Sequence, residues 1–166
     1  MLKIHTLGGY NEIGKNMTAV EIDDDIIVFD CGLFLPAVID LQESTKQPTP
    51  KLLEDAGALP DDSFLQKNRN RVKAFLITHA HLDHVGAVQH IAGRYPNADI
   101  YGTPYTIEVL KALIRDSKSQ IRNRLNYVQL DSSVIIKGKS SSYKADFVNI
   151  THSTLQSTFI ALHTKH

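Results

Sequence analysis

The chain predicts a mixed α/β fold. A hairpin-like N-terminal segment is rich in glycine, strand-length apolar runs alternate with helical-period segments through the middle, and four more strand-like runs close the chain. The hairpin comes first: Leu2–Leu7 and Met17–Ile22 read as strands, and Gly8 to Gly14 between them supplies three glycines and Asn11 for turn geometry. Asp23-Asp24-Asp25 then turns the chain into Ile26-Ile27-Val28-Phe29, a β-branched and aromatic run suited to a strand buried on both faces. That run stops at Asp30-Cys31-Gly32. From Leu33 to about Asn70 the pattern is broken by Pro36, Pro48, Pro50 and Pro60, and only Lys51–Ala56 reads as a short helix. The rest predicts a long surface excursion, and loops of such length are often functional.

Val72–Ile77 is the next apolar strand, and it leads directly into Thr78-His79-Ala80-His81-Leu82-Asp83-His84. Val85–Tyr95 has apolar residues at helical spacing (Val85, Val88, Ile91, Ala92) and stops before Pro96. Asp99–Gly102 is a short strand. Thr103-Pro104 opens a helix whose buried face is Ile107, Leu110, Leu113 and Ile114, and Arg115–Arg124 is polar and basic. Strands follow at Tyr127–Leu130, Val134–Lys137, Tyr143–Ile150 and Thr158–His163, with Ser140 to Ser142 as a turn.

At 166 residues and 42% hydrophobic content, the chain is long enough for one core. Eighteen basic residues balance eighteen acidic ones, so no global field advertises a polyanionic partner. A nucleic-acid substrate stays open, because nucleases also bind through a local cleft and metal ions. Cys31 is the single cysteine, which excludes an intrachain disulfide and a cysteine-rich zinc site, and fits a reducing compartment. The N-terminus runs straight into a strand without an export-type leader, and no apolar run approaches the roughly 20 residues of a bilayer span. A cytoplasmic protein with no membrane partner is expected.

The chemistry lies in His79-Ala80-His81-Leu82-Asp83-His84, where four candidate ligands fall within six residues. Neutral imidazole and carboxylate are the ligands of hydrolytic zinc sites. Such a pattern arises by chance roughly once in a thousand sequences of this length. A strand precedes it, a helix follows it, and Gly86 lets the chain pass close by.

His79-x-His81-x-Asp83-His84 after an apolar strand resembles the signature of the metallo-β-lactamase superfamily. The segments Leu7 to Met17, Ile27 to Gly32 and Tyr101 to Thr106 are similar to the ribonuclease J branch of the β-CASP nucleases. The resemblance covers essentially the whole chain. It implies an αββα sandwich and a metal-dependent ribonuclease that trims RNA from the 5′ end, internally, or both. It further implies two zinc ions, with manganese as the alternative: His79, His81 and His152 on one, and Asp83 and His84, the expected catalytic residues, on the other. Water activated by the ion pair would attack the phosphodiester. Asp30 is expected to brace the ligand loop by hydrogen bonds. Ser153, Thr154 and Ser157 are candidate phosphate-contacting hydroxyls, although turn formation is the commoner role for any one of them.

The pattern also breaks off. The family continues with a metal-bridging aspartate and a later histidine, but no Asp or Glu follows Asp146, and neither His163 nor His166 matches the motif. Residues 1–166 therefore read as the N-terminal portion of a metallo-β-lactamase domain, lacking its C-terminal half and the β-CASP domain. The inner sheet is expected to leave an apolar face uncovered, to be met by self-association or by the rest of a longer chain. The alternatives are a non-catalytic module that binds RNA or a partner subunit, or another hydrolase of the superfamily acting on thioesters, lactams or DNA. Arg115, Lys118, Arg122 and Arg124 are candidates for an RNA path, against the plainer reading of a solvated helix face.

Overall fold

The computed structural model describes residues 1–44 and 49–166. Six strands form one sheet in sequence order: β1 (Leu2–Gly8), β2 (Met17–Ile22), β3 (Asp25–Phe29), β4 (Val72–Leu76), β5 (Asp99–Gly102) and β6 (Leu125–Tyr127). The first three are antiparallel, and β3 to β6 run parallel. A second, antiparallel sheet follows from β7 (Ser132–Lys137), β8 (Ser142–Asn149) and β9 (Thr158–His163).

The strands without polar alternation are those buried on both faces. Ile26 and Val28 of β3, with Val72 and Phe75 of β4, join the core beneath the helices. Ile27 of β3 and Ala74 and Leu76 of β4 join a second core, against Ile136, Ala145 and Phe147 of the smaller sheet. The helical layer comprises α1 (Leu35–Ser44), α2 (Pro50–Asp55), α3 (Ser63–Lys67), α4 (Leu82–Val85), α5 (Val88–Ile91) and α6 (Pro104–Asp116). The result is three layers, α/β/β, of the expected sandwich.

The two sheets are locked at the start of β3. The Asp25 carboxylate, 2% exposed, accepts hydrogen bonds from the Lys139 amide at 3.0 Å and the Tyr143 hydroxyl at 2.9 Å. A Cβ on Gly138 would lie 2.1 Å from Asp25 Oδ2, so this turn requires glycine.

Three expectations need correction. The excursion from Leu33 to Asn70 is largely helical, since α1, α2 and α3 all lie in it, while residues 45–48 fall outside the described ones. Pro36 is the second residue of α1, where a proline costs no hydrogen bond, and Leu35, Val38 and Leu41 pack on the core. The single helix expected over Val85–Tyr95 is broken into α4, α5 and a 3-10 turn at Ala92–Arg94. The carbonyls that would carry a continuous helix are taken elsewhere: Asp83 O accepts from the Asn16 amide, and His84 O from the Cys31 amide. Lastly, the smaller sheet covers the centre of the inner face. Apolar residues exposed on the strands include Leu2 and Ile4 on β1, and Ile135, Val148 and Phe159 on the smaller sheet, whose strands also carry the ion pairs of Asp146 with Lys144 and His163.

Candidate metal centre

The His-rich segment emerges where parallel β4 ends, at the carboxyl edge of the sheet, the usual place for a site in such sheets. Beside it, Asp30 follows β3 in a left-handed conformation (φ 56°) and is 7% exposed. Its Oδ1 accepts the Thr78 amide at 2.8 Å, and the Thr78 hydroxyl donates to the same carboxylate at 3.0 Å. Its Oδ2 lies 2.8 Å from His84 Nδ1. A carboxylate there makes Nδ1 the protonated nitrogen, which leaves the His84 Nε2 lone pair free, 3.5 Å from Asp83 Oδ2. Burial opposes a charged His84, but the Asp30 hydrogen bond and the charges of Asp30 and Asp83 outweigh it and raise its pKa.

Thr78 extends the bracing to a second histidine. With its proton given to Asp30, its oxygen accepts from His79 Nδ1 at 2.8 Å, and His79 Nε2 is left free. His79 Nε2 lies 3.1 Å from His81 Nδ1, which lies 3.2 Å from His152 Nε2. The three rings meet nearly at right angles, with interplanar angles of 75° to 84°. They form a corner of converging nitrogens, not a stack. Burial first, and then the neighbouring imidazoles, lowers the pKa of His79 to about 4, so it is neutral and ready to ligate at pH 7.

These spacings can be tested against zinc. Bonds of about 2.0–2.1 Å in a tetrahedron place ligand atoms about 3.3 Å apart. The 3.1 and 3.2 Å nitrogen separations, and the 3.5 Å between Asp83 Oδ2 and His84 Nε2, are close to this spacing, and the ligand atoms of the three imidazoles all lie within 4.8 Å of one another. His79, His81 and His152 form the one group of three candidate ligands among the described residues. Cys31 is not a candidate, because complete burial pushes its thiol well above the usual range and ligation needs the thiolate.

Residues 10–148 match the family model described as Metallo-beta-lactamase superfamily. The chain belongs to that superfamily. Among curated proteins it is similar to Ribonuclease J of Pyrococcus abyssi, 40% identical over 99% of this chain and 36% of the relative. Ribonuclease J of Methanocaldococcus jannaschii is 39% identical over 98% of the chain and 36% of the relative. The chain thus spans about a third of the length of these relatives. Among solved structures, a protein of unknown function from Enterococcus faecalis superposes with a TM-score of 0.64 at 18% identity, covering 99% of this chain and 41% of that one. A subclass B3 metallo-beta-lactamase of Bradyrhizobium japonicum does so with 0.59 at 14% identity, covering 100% and 56%. At these identities the likeness shows the fold, which is the metallo-beta-lactamase fold.

The superfamily motif is interlocked with two neighbouring segments. Leu33 N donates to Leu82 O, Cys31 N to His84 O and Ala87 N to Cys31 O. A Cβ on Gly32 would fall 1.6 Å from Asp83 O, so only glycine allows this approach. The loop bearing His152 is stitched to the motif by Thr158, whose amide and hydroxyl both donate to Thr78 O, at 3.0 and 2.8 Å. It is tied to α6 by the Tyr105 amide, which donates to Gln156 Oε1 at 2.8 Å.

The sequence-derived site residues fall into two sets. His79, His81, Asp83, His84, His152 and Asp30 are brought together, and the Ser153 hydroxyl lies exposed 3.1 Å from His81 Nε2. Ser157 is a correction: it is 1% exposed and hydrogen-bonded to Thr154, so the two hydroxyls hold the turn and Ser157 cannot reach a phosphate. His163 pairs with Asp146, and His166 lies near Asp23, both away from the motif. Thr78 and Asn16 escape sequence reasoning, because a lone hydroxyl and a lone amide carry no spacing signal.

Proposed function

We propose that the chain is the metal-ligand half of a ribonuclease J-type enzyme that hydrolyses RNA phosphodiesters with two zinc ions. The observation that carries this reading is the convergence of His79 Nε2, His81 Nδ1 and His152 Nε2 beside the Asp83–His84 pair. His79, His81 and His152 would hold one ion, and Asp83 and His84, the proposed catalytic residues, the other. Bound there, zinc or manganese supplies a Lewis acid for a phosphoryl oxygen and lowers the pKa of water toward neutrality. The chain's own residues prepare the place: Asp30 and Thr78 fix the ring nitrogens, and the Ser153 hydroxyl stands at the rim, available to a phosphate oxygen.

The 40% identity to Ribonuclease J supports RNA as the substrate, cleaved from the 5′ end, internally, or both. Because the chain spans about a third of that relative, the remaining acid and the RNA channel belong, in this reading, to further sequence of a longer enzyme. The single cysteine supports a cytoplasmic setting, and no helix among the described residues is long and apolar enough to cross a membrane.

The deciding experiment incubates 5′-labelled RNA and zinc or manganese with the chain extended to the length of the Ribonuclease J relatives, beside a His81→Ala control of the same length. Metal-dependent cleavage lost in the control supports the enzyme. RNA retention without cleavage in either sample favours the binding module.

A further inference from the structure

We infer that Asn16 is a positioning residue whose carboxamide holds Asp83 and so sets how tightly the Asp83–His84 pair takes a metal ion. This rests on the two-metal reading above. Asn16 Nδ2 lies 2.9 Å from Asp83 O, 3.1 Å from Asp83 Oδ2 and 3.1 Å from His84 Nε2. An amide nitrogen has two hydrogens for these three acceptors. The carbonyl and the carboxylate take them, and the His84 nitrogen keeps its lone pair for an ion. All three neighbours are acceptors, so the amide cannot turn its oxygen toward them.

The carboxamide is boxed in from the other side. Gly9 sits at φ 84°, and a Cβ there would lie 2.5 Å from Asn16 Oδ1. The Asn16 amide also donates to Asp83 O at 3.0 Å, so side chain and main chain grip the same residue. Among the described residues Asn16 makes the hydrogen bond to the Asp83 carboxylate, as Asp30 does to His84. A carboxylate ligand left without such a partner is free to rotate away from the ion, and loss of outer partners typically weakens metal binding about 10–100-fold. Among the described residues no hydrogen bond joins Asn16 to His79, His81 or His152, so the three-imidazole position is expected to keep its affinity when Asn16 changes.

The test is zinc titration of the chain by calorimetry, with cobalt absorption as a second readout, for the wild type and Asn16→Ala. The expected result is two binding steps in the wild type, with the second weakened about 10–100-fold and the first unchanged in the variant. Equal second steps, equal loss of both steps, or a wild type that takes up one ion only would overturn the proposal. Should the variant not fold, the wild-type chain labelled with nitrogen-15 decides. The Asn16 side-chain amide signals must move with the second equivalent of zinc and not with the first, and signals indifferent to the second equivalent reject the role. No RNA is present in these measurements, so failure to cleave RNA and failure of the Asn16 role are separate results. A wild type that binds no ion sinks both.

Discussion

The two candidate metal positions lie side by side and are built differently. At one, three imidazoles from two chain segments converge with separations of 3.1 and 3.2 Å, and this chain alone supplies a full set of three protein ligands. At the other, Asp83 and His84 are adjacent in sequence and offer only a pair. Both members of the pair have an outer partner, Asp30 on the imidazole and Asn16 on the carboxylate, as do His79 with Thr78 and His81 with Ser153 in the larger group. A position short of ligands keeps its geometry through its outer partners, whereas a complete group depends mainly on the ligands themselves.

His81→Ala attacks the complete group, and the largest effect is expected there. Zinc affinity at the three-imidazole position should fall well beyond the roughly 100-fold that loss of an outer partner costs, read by competition with a chromogenic chelator. Asp30→Asn should lower affinity at both positions by about 10–100-fold, since Asp30 touches His84 directly and His79 through Thr78. An effect confined to one position would break the relay. Thr78→Val sharpens the comparison: it removes the hydroxyl relay to His79 while sparing the Asp30–His84 bond, so the three-imidazole step alone should weaken, by less than Asp30→Asn produces.

The smallest metal effect is expected at the far end of the same strand. Asp25 opens β3 and Asp30 follows it, both buried, yet Asp25 binds a backbone amide, a tyrosine hydroxyl and the Lys73 ammonium, none of them at the site. Asp25→Ala should cost about 1–3 kcal/mol in urea unfolding and leave both zinc affinities unchanged. A shift in either affinity would show that the two ends of β3 are coupled.

Much of this was legible in the residues. The run Ile26 to Phe29 announced a strand buried on both faces, and the four candidate ligands after β4 announced the site, because ligands that must converge on an ion need tight spacing. His152 was reachable by family resemblance alone, since it lies far along the chain from the motif. The helices after Leu33 were hidden by prolines, two of which, Pro36 and Pro50, sit in first turns where they do no harm. The break after α4 was hidden for a different reason: Asp83 O and His84 O are claimed by Asn16 and Cys31, partners distant in sequence that no local pattern records. Thr78 and Asn16 matter through single hydrogen bonds, which leave no periodicity to read.

The most direct test is elemental analysis of the chain purified without chelators and without a histidine tag, followed by zinc uptake at saturation. The expected result is at least one zinc per chain, lost on His81→Ala. A wild-type chain that carries no metal and takes up none at saturating zinc would contradict the assignment of His79, His81 and His152 as a metal centre.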